Sequence, residues 1–345
     1  MHFKLAFIGF GVVGQGLTEI LMEKKDWLAE KYGFHYTIVA ISDIMKGSIY
    51  DKNGLDMTKI LDLVKKGKKL DDYPTGVKGM DSLATISKTN ADTIIEVTFT
   101  DVKTGEPALT HIKAALNAGK NVVSTNKGPV VKQAVELVDM AAVNDAHYGF
   151  EGVVLAGTPV LNLAKYTLAG NKISGFKGIL NGTTNYILTR MEEGMSYEDA
   201  LKKAQDLGYA EADPTGYVEG LDALGKVVIL SNVVLGKNLS WEDVERKGIT
   251  EITGEDVKKA KAEGKRWKLI GSAEIQPDGS VKAKVWPEKL SLSDPLAGVC
   301  EAMNALTYHT DELGSVTIIG PGAGRRETGF SLLIDLLEIN RKSNG

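Results

Sequence analysis

The sequence predicts an α/β protein that has a Rossmann-type parallel sheet and a second α/β domain. A chain of 345 residues is long enough for about two domains. In its first half, apolar segments typical of buried strands alternate with helical segments, and a glycine-rich turn follows the first strand. We therefore predict a nucleotide-binding domain at residues 1–147, a second domain at residues 148–315, and a return segment at residues 316–345 that packs on the first domain.

The first domain is predicted to alternate strands with helices. Strands are expected at residues 3–9, 36–42, 93–99 and 121–125. Helices are expected to begin at the glycine-rich turn and to occupy residues 58–66, 107–118 and 130–143, while residues 23–35 form a hydrophilic insertion. This alternation implies parallel strands that are joined by right-handed crossovers.

The pattern changes from about Tyr148 onwards. Glycine-rich segments occur at residues 151–158 and 177–184, and helices are expected at residues 196–207 and 220–234. A polar, lysine-rich helix and a hairpin turn at Pro277-Asp278-Gly279 are expected within residues 245–290. We predict a more open sheet in this domain and a final helix at residues 330–340.

The composition excludes several classes of partner. The formal net charge of −4 gives no general attraction to nucleic acid or to anionic membranes. The longest apolar runs fall far short of the roughly 20 residues that span a bilayer, and the N-terminus lacks the features of a secretory leader. The single cysteine, Cys300, excludes an internal disulfide framework. We expect a cytoplasmic enzyme without nucleic-acid or membrane partners.

The glycine-rich turn is the first candidate site, because it follows a strand and opens a helix. Gly9 permits a tight turn, Gly11 leaves room for a pyrophosphate, and Gly14 allows close packing between strand and helix. The N–H groups at the start of the helix then face the phosphates. The motif predicts NAD(P) binding by the residues Gly9, Phe10, Gly11, Val12, Val13 and Gly14.

Asp43 is the candidate for the ribose contact, since it ends the second predicted strand. An acidic side chain there can accept a hydrogen bond from the ribose 2′-hydroxyl and repels a 2′-phosphate. Asp43 lies further along the chain than the roughly 20 residues usual for this contact. Lys46 and Lys52 lie nearby and could bind a phosphate, so the preference between NAD and NADP stays open.

Two lysines are the candidates for proton transfer. Asp222 and Lys226 are spaced to share one face of a helix whose flanking residues are largely apolar, and a buried lysine needs a partner or a substrate. Lys127 follows an apolar strand, and ligands bind at the carboxyl ends of strands in open α/β sheets. A positioned lysine can donate a proton or polarise a carbonyl group.

Several motifs, taken in order, resemble those of the homoserine dehydrogenase family. The first is the glycine-rich turn, and Ser124-Thr125-Asn126-Lys127 matches a further family block. Residues 179–188, with Asn181-Gly182-Thr183-Thr184-Asn185-Tyr186, are similar to another. Residues 204–226 resemble the family signature, which closes on Gly-x-Asp-x-x-x-Lys, and Gly320-Pro321-Gly322-Ala323-Gly324 with Thr328 resembles its late glycine motif. The set extends over residues 9–328.

The resemblance implies an NAD(P)-dependent interconversion of L-homoserine and L-aspartate 4-semialdehyde, a step towards threonine and methionine. It implies that Lys226 is the acid or base, with Lys127 and Asp222 in support. The implied substrate residues are Glu211, Asp222, Thr183, Tyr209 and Gly182, and the further cofactor contacts are Thr98, Lys127 and Gly322. It also implies that the second domain is the catalytic and dimerisation domain of a homodimer.

The resemblance further implies a monovalent-cation site for Na⁺ or K⁺ in the segment Glu151-Gly152-Val153-Val154-Leu155-Ala156-Gly157-Thr158. The implied ligands are Glu151, Val154, Ala156 and Thr158. Without the resemblance, the same segment would be interpreted as a structural glycine-rich turn.

Two features set this chain apart from the family pattern. Tyr217 stands where the family usually carries an acidic residue, which leaves the exact substrate open. The chain ends soon after the final helix, so we expect no regulatory domain of the ACT type. The alternatives are a related dehydrogenase for another small hydroxy or amino acid, and a non-catalytic NAD-binding regulator. Retention of Lys127 and Lys226 argues against the regulator.

Overall fold

The computed structural model describes residues 1–99 and 101–344, and it divides the chain into two compact units. Unit 1 contains Met1–Gly157 together with the segment that begins at Gly324, and unit 2 contains Thr158–Ala323. These boundaries differ from those placed on the sequence at residues 147 and 315. The later boundary moves because residues 314–321 form a strand that pairs along its length within unit 2.

Unit 1 is built on a seven-stranded sheet with the order β4-β3-β2-β1-β5-β6-β7. Its strands are β1 (His2–Ile8), β2 (His35–Asp43), β3 (Gly47–Tyr50), β4 (Val77–Lys78), β5 (Thr93–Glu96), β6 (Asn121–Ser124) and β7 (Tyr148–Gly149). β2, β1, β5, β6 and β7 are parallel, which confirms the predicted Rossmann-type sheet. β3 and β4 extend one edge in the antiparallel direction.

The helices of unit 1 pack an apolar core against this sheet. They are α1 (Val12–Glu23), α2 (Lys25–Tyr32), α3 (Met57–Lys65), α4 (Ser82–Lys88), α5 (Ala108–Asn117), α6 (Lys127–Val143) and α7 (Gly152–Leu155), and the last helix of the chain (Arg325–Asn344) also belongs here. That last helix contributes Leu332, Leu333, Leu336 and Ile339 to the same core cluster as Phe7 of β1. The sequence had placed its start only at residue 330.

Unit 2 holds a six-stranded, mostly antiparallel sheet with the order β13-β12-β8-β10-β11-β9. Its strands are β8 (Ile173–Ile179), β9 (Val244–Arg246), β10 (Lys265–Ile275), β11 (Val281–Ser291), β12 (Met303–Thr310) and β13 (Gly314–Pro321). Its helices are α8 (Val160–Asn162), α9 (Gly182–Glu192), α10 (Tyr197–Asp206), α11 (Thr215–Val218), α12 (Leu221–Val233) and α13 (Gly254–Ala262), and the last helix of the chain is therefore α14. Short helical turns lie at Leu70–Asp72, Leu163–Thr167, Trp241–Asp243 and Pro295–Gly298.

The structure confirms the predicted hairpin, since β10 and β11 pair over their full length on either side of Asp278 and Gly279. It also shows elements that the sequence did not reveal. The hydrophilic insertion contains α2, in which only Leu28 is buried. None of the helices in the described residues is both long and apolar enough to span a membrane.

Candidate functional site

The glycine-rich turn joins β1 to α1, and its geometry explains each glycine. Gly9 has a φ of 88°, and a Cβ there would lie 2.5 Å from the carbonyl oxygen of Val97. Both the backbone conformation and the lack of space therefore exclude a side chain. A Cβ on Gly14 would lie 3.3 Å from the carbonyl oxygen of Gly9, which is a close approach of strand and helix. At Gly11 a Cβ would meet no protein atom within 4 Å. Space for a phosphate therefore remains open where α1 begins.

Of the other three predicted residues of this turn, Phe10 is fully buried and the two valines point in different directions. Val12 is largely exposed at the first position of α1, whereas Val13 packs against the apolar core. Gly11 stands at the N-cap position of α1 and has no side chain to cap the helix. The first N–H groups of α1 therefore face the open space, as a bound pyrophosphate requires.

Asp43 is tied to the turn by backbone hydrogen bonds. Its Oδ2 accepts from the N–H of Phe10 at 2.8 Å, and its Oδ1 accepts from Met45 and Lys46 at 2.9 Å each. The Lys46 ammonium lies 3.6 Å from Oδ2. Burial would raise the pKa of Asp43, but these N–H groups and the Lys46 charge together hold it below its usual value. Asp43 thus stabilises the turn as an ionised carboxylate.

A cavity of about 660 Å³ opens beside this turn, within unit 1. Its lining includes Gly9, Gly11, Asp43, Lys46, Thr98 and His111. A volume of this size lies within the range of cofactor sites, roughly 300–1,000 Å³. The predicted cofactor residue Thr98 is thus brought to the same cavity as the glycine-rich turn and Asp43.

The remaining cofactor candidates occupy two different places. Lys127 begins α6, at the carboxyl end of β6, which places it at the edge of the unit 1 sheet where ligands bind. Gly322 lies in unit 2, where a Cβ would meet Oδ1 of Asn304 at 2.2 Å. Packing against Asn304 is therefore sufficient to explain this glycine, and its contact with a cofactor stays a prediction.

The candidate catalytic pair lies in unit 2, on α12. Nζ of Lys226 is 2.9 Å from Oδ2 of Asp222 and donates to the carbonyl oxygen of Leu180 at 2.6 Å. Lys226 is only 5% exposed, as the apolar flanks of this helix predicted. Asn181 donates to the same Oδ2 of Asp222 at 3.0 Å.

Asn181 is a site residue that sequence reasoning missed. Its Oδ1 accepts from the N–H of Thr184 and so caps α9, while its amide group holds Asp222. An Asn before a helical segment is a recognisable cap signal. The contact with Asp222, by contrast, joins residues that are far apart in the chain and is not visible in the sequence.

The predicted substrate residues cluster around the start of α9. Gly182 and Thr183 open that helix, and the Thr183 hydroxyl donates to the backbone carbonyl of Tyr209. Tyr209 is half exposed, and its ring packs against Tyr186 with the ring centroids 5.2 Å apart. Glu211 is exposed and follows shortly after.

Tyr217, the residue that departs from the family pattern, lies in the same cluster. Its hydroxyl donates to Oε1 of Glu211 at 3.5 Å, the long limit of a hydrogen bond. Burial first, and then the charges of Glu211 and Asp222, raise the pKa of Tyr217. The phenol therefore lies beside both carboxylates as a neutral group.

The segment proposed for a cation is largely buried. Glu151 is 2% exposed, and its N–H donates to the buried carboxylate of Asp335 at 3.1 Å. Ala156 has a φ of 48°, which is unusual for a residue other than glycine. Val154 is buried in α7, while Thr158 begins unit 2 and donates its hydroxyl to the carbonyl of Pro321 at 2.9 Å. The described residues contain no His, Cys, Asp and Glu cluster of three or more arranged for a metal ion.

A dinucleotide turn and a buried lysine–aspartate pair define an NAD(P)-dependent oxidoreductase. A family model for homoserine dehydrogenase matches residues 159–337. The chain belongs to the homoserine dehydrogenase family. Residues 3–144 also match a family model described as glutamate/leucine/phenylalanine/valine dehydrogenase.

Individual relatives agree with this family over nearly the whole chain. The chain is 43% identical to the NAD(+)-dependent homoserine dehydrogenase of Pseudomonas canavaninivorans, over 99% of this chain and 97% of that protein. It is 40% identical to the homoserine dehydrogenase of Methanocaldococcus jannaschii, over 97% and 98% respectively. A hyperthermophilic archaeal homoserine dehydrogenase mutant in complex with NADPH matches with a TM-score of 0.84 and 30% identity, over 99% of this chain and 98% of that one. These matches do not favour the alternatives of another substrate class or a silent regulator.

Asp43 yields a prediction about the choice between the two nucleotides. Asp43→Asn keeps an acceptor oxygen but removes the charge that would bind a ribose hydroxyl and repel a 2′-phosphate. We expect the ratio of the NADPH to the NADH dissociation constant to fall by about 10-fold, the effect of one charged hydrogen bond. Fluorescence titration with both nucleotides measures this ratio. Asp56→Asn is the control, because Asp56 also accepts a backbone N–H but caps α3 outside the cavity. An unchanged ratio would leave Asp43 as a stabiliser of the turn alone.

Proposed function

We propose that this chain interconverts L-homoserine and L-aspartate 4-semialdehyde with NAD(P), in the pathway from aspartate to threonine and methionine. The observation that carries the proposal is the Lys226–Asp222 pair on α12, which bonds to Leu180 and Asn181 just before α9 and lies next to the cluster of Thr183, Tyr209 and Glu211. When bound, the nicotinamide supplies or accepts the hydride at the carbon that bears the reacting oxygen.

Lys226 is assigned the proton transfer to and from that oxygen. Its ammonium is oriented from two sides, by Asp222 and by the carbonyl of Leu180. Asp222 in turn is fixed by Asn181. A lysine that is held in this way presents its proton at one place, and positioned general acids contribute about 10²–10⁴-fold to rates.

The supporting roles are assigned to the neighbouring side chains. In the proposal Glu211 binds the substrate amino group, because its exposed carboxylate lies in this cluster, 3.5 Å from the hydroxyl of Tyr217. Thr183 and Tyr209 form the wall of the same cluster. Lys127, at the carboxyl edge of the unit 1 sheet, is proposed to bind the cofactor and to assist proton transfer.

The residues of unit 1 fit the nucleotide in chemistry and in space. Gly11 leaves the start of α1 open for the pyrophosphate, and Asp43 lies where the ribose would be read. The support for a cation site at residues 151–158 is the buried carboxylate of Glu151, because hard cations prefer carboxylate and carbonyl ligands. We propose that Glu151, Val154, Ala156 and Thr158 hold such an ion and stabilise the fold of this segment.

The central test is an assay of homoserine oxidation and semialdehyde reduction with both nucleotides. We expect Lys226→Ala to lower kcat by about 10²–10⁴-fold while NADH affinity changes little. Lys226→Arg should not restore the rate, since a guanidinium has too high a pKa to exchange its proton.

A matched control exists for this change. Lys202 and Asp206 also form a lysine–aspartate pair four residues apart on a helix, at 2.7 Å, but both are exposed on α10. Lys202→Ala should leave kcat within about 2-fold of the wild-type value. Near-normal kcat in a folded Lys226→Ala variant would overturn the assigned mechanism, and absence of homoserine turnover by the wild type would overturn the proposed function.

Tyr217 provides a separate prediction about substrate binding. Tyr217→Phe removes the hydroxyl that contacts Glu211, so we expect KM for homoserine to rise about 3–10-fold with little change in kcat. Tyr50→Phe is a suitable control, because Tyr50 also donates at a long distance, 3.4 Å, to a side-chain oxygen, that of Asn90 in unit 1. An unchanged KM in Tyr217→Phe would show that the hydroxyl does not order Glu211 for binding.

We also propose that the chain is a cytoplasmic homodimer. A reducing compartment suits the one cysteine of the chain, Cys300, which forms no disulfide. The support for dimerisation is one face of the unit 2 sheet. The strand register places Trp286, opposite Ile270, and Ile319, opposite Ala305, on the same face. Both Trp286 (38%) and Ile319 (52%) are exposed there.

The oligomeric state tests this surface. A carboxylate on this face would be buried without a partner in the dimer, so Ile319→Asp should shift the mass in light scattering from dimer to monomer. Leu207→Asp, at an exposed apolar residue at the end of α10, should leave the mass unchanged. A wild-type monomer at micromolar concentration would refute the proposal.

A further inference from the structure

Glu96 is a fully buried carboxylate at the carboxyl end of β5, and neither the motifs nor the proposed mechanism uses it. Its exposure is 0%, yet it carries no bond to a lysine or arginine among the described residues. An apolar residue at this position would continue the run of Ile94 and Ile95 and would be less costly to bury. The presence of a carboxylate here therefore requires an explanation beyond the core.

The hydrogen bonds of Glu96 reach three neighbouring segments. Oε1 accepts from the N–H and hydroxyl of Thr98, the former at 3.3 Å, and lies 3.5 Å from Nδ1 of His111 on α5. Oε2 accepts from the hydroxyl of Ser124 at 3.3 Å and from the amide group of Asn126. Thr98 and His111 line the nucleotide cavity. One carboxylate thus fixes two cavity residues and the end of the neighbouring strand.

Asn126 shows that this arrangement competes with ordinary helix capping. Asn126 occupies the N-cap position of α6, where an asparagine side chain normally accepts an N–H of its own helix. Here the side chain makes no such cap bond, and its amide group donates instead to Glu96 and to the carbonyl of Thr98, the latter at 3.2 Å. The residue that immediately follows is Lys127.

From these contacts we propose that Glu96 is a positioning residue for the part of the nucleotide cavity that Thr98 and His111 line. It holds Thr98 and His111 in the cavity wall and, through Asn126, sets where α6 and its first residue Lys127 begin. The inference rests on the proposed use of the cavity for NAD(P), but it assigns a role that the reaction itself does not specify.

The test compares two carboxylates at opposite ends of the same strand. Glu96→Gln places an NH₂ group among several hydrogen-bond donors and should weaken NADH binding at least 10-fold in a fluorescence titration. Asp92→Asn is the matched control: Asp92 precedes β5, is partly buried and accepts from the N–H of Lys4 and the hydroxyl of Thr93, each at 2.9 Å, but lies away from the cavity. It should lower the melting temperature of the protein without changing NADH affinity.

A second variant keeps the proposal testable if Glu96→Gln folds poorly. Thr98→Val removes the hydroxyl that Glu96 orders, so the single variant should bind NADH more weakly than the wild type. The double variant with Glu96→Gln should bind NADH no more weakly than Glu96→Gln does. NADH affinity within 2-fold of wild type in folded Glu96→Gln, or in Thr98→Val, would overturn the proposal, as would a wild type that binds neither nucleotide. A wild type that binds NADH but does not oxidise homoserine would instead refute the proposed function alone.

Discussion

The ammonium group of Lys226 is the constraint around which unit 2 is arranged. A buried charge is tolerated only where hydrogen bonds replace the lost water, and here the carbonyl of Leu180 and the carboxylate of Asp222 supply them. Leu180 directly follows β8 and Asn181 caps α9, so hydrogen bonds at these two residues connect a strand end, a helix start and α12. Removal of any one partner would take a hydrogen bond away from another polar group of this set.

In unit 1, hydrogen bonds likewise stabilise two carboxylates. Asp43 and Glu96 stand at the carboxyl ends of two parallel strands, and both accept several donors from neighbouring loops. The loops that follow both strands line the nucleotide cavity. Charge-assisted hydrogen bonds stabilise them without filling the space that the nucleotide needs.

Features that depend on local sequence patterns could be predicted, whereas features that depend on contacts between distant residues could not. The Rossmann-type sheet, the glycine-rich turn and the burial of Lys226 follow from periodicity and from the spacing of a few residues, and the structure confirms them. The helix α2 was missed because its residues are polar on nearly every side and bury only Leu28. The role of Glu96 could not be predicted, because it depends on hydrogen bonds to Ser124 and Asn126, which are distant in the sequence.

The position of α14 bears on the order in which the molecule can fold during synthesis. Its leucines complete the core of unit 1, and Arg325 and Arg326 pair with Glu19 and Glu23 of α1. The chain therefore makes all of unit 2 between the first and last parts of unit 1. During synthesis on the ribosome, the whole sequence of unit 2 therefore emerges before unit 1 is complete. Part of the apolar core of unit 1 stays uncovered until α14 leaves the exit tunnel.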